Sequence, residues 1–338
     1  MQLIKKVVPF CDGPHIKTTK HYVTKGNGLR KLFKCMDCNR TYSETKDTFM
    51  ENLRTPFSLI SSVLLARTEG LGFNATCRVY LISSRSLRSW EKRFGKLKEL
   101  LLTYSLTHSF IKQVVEGDEL YTKVGSNVPQ EKSEGWTILL IERASRFIWA
   151  LDCGKKDEKL FMEAIKRLSE VIQSTEDLSL ITDGERRYGN KLFQICHELL
   201  KTGKPGRPKT VLQKGIKVRI KNKGSQSHKP GRKRKKYQAP QPEHPLTKQD
   251  IQEHSINANH AEAFNASLRR KNSAYRRKTN TYAKLTEALQ RTLDVYWVVH
   301  NFIRKHYTTK RVPAENLGVV EKGFNFFDLL NRVRLGVC

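Results

Sequence analysis

The sequence is short of acidic residues. It contains 33 Asp and Glu against 63 Lys and Arg among 338 residues, which gives a formal net charge of +30 and an isoelectric point near 9.9. A compact fold with this excess of positive charge repels itself unless an anionic partner neutralises part of it. The charge balance favours nucleic acid as that partner, with an anionic membrane surface as the competitor. The length allows two or three domains and at least one substantial core.

Long apolar runs are also missing. No run reaches the roughly 18–20 apolar residues that a membrane-spanning helix needs. The N-terminal segment "MQLIKKVVPFCDG" lacks the apolar stretch of a secretory signal. We therefore expect a cytoplasmic protein that has no membrane partner. Four of the seven cysteines are isolated, as is typical of buried thiols in a reducing compartment: Cys77, Cys153, Cys196 and Cys338.

The other three cysteines lie near the N-terminus and include a C-x-x-C pair. Two short knuckles about twenty residues apart can supply the four ligands of a tetrahedral zinc site. Such a polar segment is expected to depend on a metal for its fold. Surface thiols without a metal are the alternative. We predict a DNA-binding zinc ribbon over residues 1–50, with His21 as an alternative fourth ligand to this set: Cys11, His15, Cys35 and Cys38.

Residues 51–100 are helical in pattern. Leu87 and Trp90 are spaced to face inward on the last helix, which Ser83 or Ser84 can cap. The basic residues of this helix are left on its other faces, as in a helix-turn-helix whose recognition helix enters the major groove. An ordinary helical hairpin with solvated charges is the alternative. The predicted DNA contacts of this helix are Arg85, Arg88, Lys92 and Arg93.

Residues 108–310 predict a mixed α/β domain. Runs rich in β-branched and aromatic residues alternate with helical patterns in the order strand, β-hairpin, helix, strand, helix. A basic insertion, residues 201–250, interrupts this order, and its first part, residues 201–242, holds fifteen Lys and Arg and no acid. Residues 311–338 are interpreted as a C-terminal tail.

The basic insertion is interpreted as a flexible polycation that binds phosphates without reading base sequence. Within it, "GKPGRPK" resembles the short minor-groove-reading core of AT-hook segments, and "KVRIK" can form an additional strand. The predicted DNA contacts of the insertion are Arg207, Lys233, Arg234, Lys235 and Lys236.

Three acids occupy positions that suggest chemistry. Asp118 lies inside a strand pattern, where Asp is unfavourable. Asp183 ends a later strand, and Glu262 lies on a predicted helix with no further acid for twenty-four residues. Carboxylates at strand ends and on a nearby helix can hold two Mg²⁺ or Mn²⁺ ions about 3.5–4 Å apart, which suits displacement at phosphorus. We predict that these three acids are the catalytic metal ligands.

Each of these acids also has a structural interpretation. Asp183 precedes a glycine and can be a turn residue. Asp118 can pair with an arginine, and its neighbours Glu116 and Glu119 are alternative ligands. Glu262 can be an ordinary acid on a helix surface.

Several segments resemble one family. "VEGDELY", "ITDGERRY" and "NHAEAFNASLRRKNSAYRRKTNTYAK" look like the catalytic motifs of the DDE transposases of bacterial insertion sequences, most of all the insertion-sequence-one family. "HNFIRKH" and "VPAENLG" resemble its closing segment. Because a zinc ribbon and a helix-turn-helix precede the catalytic domain in such proteins, the likeness covers nearly the whole chain. Two features depart from the family: Pro14 stands where a cysteine is usual, and the basic insertion is enlarged. The third motif adds predicted DNA contacts at Asn265, Arg269, Arg270, Arg276, Arg277 and Lys278.

The resemblance implies a zinc ribbon and an all-α helix-turn-helix followed by a ribonuclease-H-like catalytic domain. It implies Mg²⁺-dependent strand nicking and strand transfer at the terminal inverted repeats of a mobile element. The partners would be double-stranded DNA of the element ends and the target. The protein would act as a dimer or higher oligomer in the prokaryotic nucleoid.

Three other functions compete with this one. A DNA-binding regulator with an inactive or domesticated nuclease fold is disfavoured by the three intact acids. A packaging protein driven by charge alone is disfavoured by the ordered α/β pattern. A nuclease of the same fold that does not transpose DNA stays open.

Overall fold

The computed structural model describes residues 16–24, 28–36, 38–109, 113–126, 128–172, 177–200, 206–222, 235–247, 251–276 and 281–333. Its strands are β1 (Ile16–Thr24), β2 (Gly28–Cys35), β3 (Thr41–Ser43), β4 (Gln113–Tyr121), β5 (Trp136–Glu142), β6 (Ile148–Gly154), β7 (Leu178–Thr182), β8 (His197–Leu200), β9 (Lys209–Leu212), β10 (Ile216–Lys221) and β11 (Tyr237–Gln238). Its α-helices are α1 (Phe57–Thr68), α2 (Phe73–Val79), α3 (Ser84–His108), α4 (Glu158–Ile172), α5 (Arg187–Ile195), α6 (Asn259–Lys271), α7 (Thr286–Val298), α8 (Pro313–Leu317) and α9 (Phe326–Arg332). A π-helical turn, Val299–Ile303, extends α7.

A six-stranded mixed sheet forms the centre of the fold, in the order β11-β10-β7-β4-β5-β6. β4, β7 and β10 are parallel neighbours, and β5 and β6 form an antiparallel hairpin against β4. The α/β core predicted from the alternation of patterns is therefore confirmed. The segment "KVRIK" is part of β10, which pairs with β7 over most of its length and with β11 at its last two residues, so the additional strand predicted for it is confirmed.

Helices cover the sheet because their apolar stripes need a partner surface. α4 illustrates this: every apolar position of its predicted helical repeat, from Leu160 to Ile172, is buried. Asp157 accepts a hydrogen bond from the backbone N–H of Leu160 at 3.1 Å and so satisfies one donor in the first turn. α6 packs on β4 and β5, and α7 packs on β6.

The N-terminal strands form a separate three-stranded antiparallel sheet, β1-β2-β3. Cys35 at the end of β2 is buried, and Cys38 in the following turn is half-buried. The backbone N–H of Cys35 donates to the carbonyl of Arg40 at 3.0 Å, which closes this turn. Cys11 and His15, the other predicted zinc ligands, lie outside the described residues.

Helices α1, α2 and α3 follow. Ser83 caps α3, because its side chain accepts from the backbone N–H of Ser86 at 3.0 Å. Leu87 and Trp90 are buried, as the pattern predicts. Val79, the last residue of α2, is 64% exposed. α3 is also longer than the recognition helix that the pattern predicts, because Leu97 and Leu101 continue the buried stripe and pack along α7.

The C-terminal residues are folded against the N-terminal part of the chain. Leu329 and Leu330 of α9 are completely buried, and the Leu330 carbonyl accepts from the backbone N–H of Met50 at 3.3 Å. Arg30 of β2 donates to Asn331 at 3.0 Å. The predicted tail thus contributes to the core up to residue 333.

In the part of the chain that the structure describes, none of the helices combines the length and apolar character that crossing a membrane requires.

Candidate active site

Two of the candidate acids lie at matching positions on adjacent parallel strands. Gly117 of β4 pairs with Thr182 of β7, so Asp118 and Asp183 are the next residues along each chain. Neighbouring strands lie about 4.8 Å apart, which places the two backbone positions side by side. Asp118 is half-buried, and both carboxylate oxygens of Asp183 are buried.

Two glycines shape this edge of the sheet. A Cβ on Gly117 would lie 3.2 Å from the Thr182 methyl group and 3.3 Å from a Leu140 methyl group, so glycine permits the close packing around β4. Gly184 has a φ of +71°, a left-handed conformation that glycine adopts readily. It turns the chain away from β7 directly after Asp183. The turn and the ligand interpretations of Asp183 are therefore compatible.

Glu116 fixes the N-terminus of α6 to β4. Its buried carboxylate accepts hydrogen bonds from the backbone N–H groups of His260 and Ala261, at 2.9 and 3.0 Å. The His260 ring at 2.8 Å and the Arg143 guanidinium at 2.7 Å complete its contacts. Burial by itself raises the pKa of Glu116, but these donors outweigh it and hold the pKa below its usual value. The charge also complements the positive end of the helix.

The helix that carries Glu262, α6, is joined to Asp118 by a hydrogen bond from Asn265. Asn265 is buried and donates from its side-chain amide to Asp118 Oδ2 at 2.8 Å. Glu262, which is exposed, lies three residues earlier and so on the same side of the helix. Asn265, which the sequence predicts as a DNA contact, is thus a hydrogen-bond partner of Asp118. Its Oδ1 is buried and has no hydrogen-bond partner among the described residues.

A charged cluster borders this edge. Lys156 Nζ lies 2.8 Å from Glu119 and 3.5 Å from Glu185, and Arg187 donates two side-chain hydrogen bonds to Glu185. Burial raises the pKa of Glu119 to about 7, although Lys156 opposes the shift. Burial also acts to raise the pKa of Glu185, but the bonds from Arg187 outweigh it and lower that pKa to about 2. Glu185 is therefore the more acidic of the two carboxyl groups in the cluster.

The donor set suits a hard divalent cation. Mg²⁺ is bound in proteins by one or two carboxylates together with retained waters, and Asp118 and Asp183 can supply these carboxylates. The unpartnered amide oxygen of Asn265 is a third oxygen donor beside Asp118. Among the described residues, no group of three or more His, Cys, Asp or Glu side chains is gathered closely enough to hold a metal.

The structure brings together predicted DNA contacts that are distant in sequence. Arg88 and Lys92 of α3 and Arg276, which follows α6, line one cavity of about 940 Å³. We call it the α3 groove. Lys284 and Tyr282 also line it, with the ammonium group 4.0 Å from the ring centre. The groove thus connects α3 to the segment that follows the helix of Glu262.

The remaining predicted DNA contacts differ in their surroundings. Arg85, Arg207, Lys235, Lys236 and Arg270 are exposed, and Arg269 is half-buried. Arg93 has an internal role, because its Nη1 donates to the carbonyls of Phe49 and Glu51 at 2.6 and 2.7 Å. Four predicted contacts lie outside the described residues: Lys233, Arg234, Arg277 and Lys278.

Sequence reasoning missed the residues that hold the acids in place. Tyr188 is buried and donates from its hydroxyl to the backbone carbonyl of Asp118 at 2.9 Å. Glu116 was considered only as an alternative ligand. The signal for Glu116 is its place in a strand segment that holds three acids, "EGDE", but its partners on α6 are far away in the sequence.

No known protein-family model matches the chain, and no curated protein sequence matches it.

Proposed function

We propose that the chain is a DDE-type transposase, which nicks DNA at the ends of a mobile element and transfers the freed strand to a target. The observation that carries this proposal is the matching position of Asp118 and Asp183 on adjacent parallel strands. The bond from Asn265 to Asp118, which brings the helix of Glu262 to the same edge, supports it.

The proposed chemistry assigns a role to each of these residues. Bound divalent ions would lower the charge at the scissile phosphate and activate the attacking oxygen. Asp118 and Asp183 would hold them, and Glu262 would complete the set by rotating its exposed side chain toward the pair. Water attacks phosphorus, the bond to the 3′ oxygen breaks, and a 3′-hydroxyl and a 5′-phosphate remain. In the transfer step, that 3′-hydroxyl attacks a phosphodiester of the target, the bond from phosphorus to the target's 3′ oxygen breaks, and the target strand is left with a free 3′-hydroxyl.

The proposed DNA path follows the positive charge. The exposed Arg85 at the start of α3 would contact the major groove, and the α3 groove, lined by Arg88 and Arg276, would hold the backbone toward α6. In this proposal α1–α3 form a helix-turn-helix and β1–β3 form a zinc ribbon. The domain around the six-stranded sheet is then ribonuclease-H-like. Pairing of two element ends implies a dimer or higher oligomer.

The test is cleavage of end-containing duplex DNA with Mg²⁺ by Asp118→Asn, Asp183→Asn and Glu262→Gln. We expect each variant to lose at least about 100-fold in rate, because even outer-shell partners of a metal site typically contribute 10–100-fold. Glu163→Gln is the matched control, since this acid is exposed on α4. Full activity in all three variants would overturn the assignment.

Binding measured separately in buffer without added Mg²⁺ or Mn²⁺ distinguishes the second candidate, a DNA-binding regulator. The exposed arginines of α3 support DNA binding whether or not the acids are active. Tight, sequence-specific binding by a wild-type protein that never nicks DNA in Mg²⁺ or Mn²⁺ would favour the regulator over the transposase.

A further inference from the structure

A second cavity, of about 550 Å³, lies on the opposite side of α6 from Glu262. Helical spacing puts His260, Phe264 and Lys271 on this side, about half a turn away from Glu262 and Asn265. The cavity is closed by the π-helical turn after α7 and by residues 304–308. We call it the histidine pocket. Its basic and imidazole side chains are Arg146, His260, Lys271, His300, Arg304, Lys305 and His306.

Among the described residues, no carboxylate lines the histidine pocket. Lys271 and Arg304 both pair with Glu69, which lies outside the cavity, so part of their charge is already balanced. Lys305 is exposed and Arg146 is half-buried. No salt bridge to either is found within the described ranges. The unbalanced positive charge of the pocket therefore comes mainly from Lys305 and Arg146.

Hydrogen bonds to the protein backbone fix which ring nitrogen of His306 and of His300 carries the proton in the neutral form. His306 Nδ1 lies 3.3 Å from the backbone N–H of Thr308 and accepts from it, so the neutral ring carries its proton on Nε2. His300 Nε2 lies 2.9 Å from the carbonyl of Arg146 and donates to it, so its Nδ1 is the nitrogen that would take up a proton. An anion in the pocket can thus receive a bond from His306 and favour protonation of His300.

The pocket also has an aromatic part, formed by Phe264, Tyr296 and Tyr307. Phe264 packs edge-on against Tyr296 at 5.6 Å and against His300 at 5.4 Å between ring centres. An aromatic wall beside a group of cations suits a ligand that has both a flat ring and a negative charge. The volume also falls in the range of roughly 300–1,000 Å³ that small-molecule pockets occupy.

We propose that the histidine pocket binds the phosphate group of a nucleotide, with Arg146, Lys305 and His306 as its main polar partners. The phosphate can belong to a free mononucleotide or to the 5′ end of a DNA strand, and the chemistry of recognition is the same. The proposal does not depend on DNA cleavage, because the pocket is on the far side of α6 from the candidate acids.

The first experiment is a calorimetric titration of the full-length protein with deoxyadenosine monophosphate and with inorganic phosphate, without divalent ions. We expect saturable binding of the nucleotide at one site. The double variant Arg146→Gln/Lys305→Gln should weaken it about tenfold or more, as the loss of charge-assisted hydrogen bonds implies. Lys305→Gln alone should give a smaller loss, and it keeps the test valid if Arg146→Gln unfolds.

The control is the charge-matched double variant Lys159→Gln/Lys166→Gln, which removes two exposed lysines from α4. We expect it to change the affinity less than twofold. Equal losses in the two double variants would show that phosphate binds through diffuse charge alone and would overturn the proposal. The absence of saturable binding with every probe would also overturn it.

The second experiment identifies the source of the phosphate. A short oligonucleotide with a 5′-phosphate competes for the protein against the same oligonucleotide with a 5′-hydroxyl. A preference of about tenfold that is lost in Arg146→Gln/Lys305→Gln assigns the pocket to a strand end. Saturable binding of the mononucleotide without this preference assigns it to a free nucleotide.

Discussion

At the scale of single residues, two polar side chains decide where the third acid lies. Glu116 has no exposed surface, yet it stays charged because four donors surround it. It can therefore act as a fixed anchor for the first turn of α6. Asn265 adds a second anchor one and a half turns later, at Asp118. Because α6 is fixed both at its first turn and at Asn265, the backbone of Glu262, which lies between these two points, has little freedom to move.

The anchor role of Glu116 predicts the effect of Glu116→Gln. The amide keeps one acceptor oxygen but places an NH₂ group against donors, so we expect a loss of about 1–3 kcal/mol in the free energy of unfolding. Urea denaturation measures this loss, with Glu163→Gln as the control. Mg²⁺-dependent cleavage should fall as well, because α6 is no longer held. An unchanged urea midpoint would contradict the anchor role.

His300 predicts a specific dependence of stability on pH. Burial, supported by nearby cations, lowers the pKa of His300 to about 4, whereas a histidine in the unfolded chain titrates near 6.5. Between these values the unfolded chain binds a proton that the folded chain does not. The contribution of neutral, buried His300 to the free energy of unfolding is therefore complete above pH 6.5 and is lost as the pH falls toward 4.

The change His300→Gln removes this titration. We expect the melting temperature of the variant to fall less between pH 7 and pH 5 than that of the wild type, measured in buffer without phosphate. His197→Gln, at an exposed position on β8, should leave the pH dependence unaltered. Parallel pH curves for wild type and His300→Gln would contradict the buried neutral state.

At the scale of single residues, the sequence indicates the candidate catalytic acids but not the residues that hold these acids in place. Asp118 stands out because an acid interrupts a strand pattern, and Asp183 because it ends one. The bonds from Asn265 and Tyr188 to Asp118 depend on tertiary contacts between elements that are distant in the chain. No periodicity encodes such contacts, so these residues could not be assigned from the sequence.

At the scale of elements, α3 has a structural role in addition to the DNA-recognition role predicted for it. Its C-terminal half carries Lys98, which is almost completely buried and lies 2.8 Å from Asp294 of α7 and 3.2 Å from Asp152 of β6. Arg167 of α4 pairs with Asp152 as well. One buried ionic cluster thus joins α3, the helix predicted to read DNA, to three elements of the α/β core.

We predict that Lys98→Met destabilises the protein by about 3 kcal/mol or more, because removing one partner leaves buried carboxylates without full compensation. Lys96→Met is the control, since Lys96 is exposed on the same helix and its loss should change stability by less than about 0.5 kcal/mol. Urea denaturation of both variants makes the comparison. Equal midpoints would show that the cluster does not stabilise the junction.

The elements that could be predicted are those with a long local pattern. The seven apolar positions of α4 repeat at helical spacing and are all buried, and the apolar runs of β5 and β6 flank a polar turn. The length of α3 and the hairpin of β8 and β9 were not predicted. Their boundaries depend on packing against α7 and on pairing between two four-residue strands, which local patterns do not specify.

At the scale of the whole molecule, α9 packs against elements from the N-terminal part of the described chain. The C-terminal α9 contacts α1 through Phe327 and Phe57, whose ring centres are 5.4 Å apart. It also reaches Arg30 of the N-terminal sheet through Asn331. Together with the cluster at Lys98, these contacts hold the predicted DNA-reading parts in a defined position relative to the sheet. The α3 groove exists because of this arrangement, as its lining comes from both parts of the chain.

The groove predicts how DNA binding depends on salt. If Arg88 and Arg276 each contact one phosphate, the double change Arg88→Gln/Arg276→Gln should reduce the slope of log K against log salt by about 1.8, or about 0.9 for each lost contact. Fluorescence anisotropy of labelled duplex DNA at several salt concentrations measures this slope. The control Lys159→Gln/Lys166→Gln removes the same charge from α4, so it separates contacts in the groove from the effect of the net charge of +30. Equal slopes for the two double variants would mean that DNA does not enter the groove.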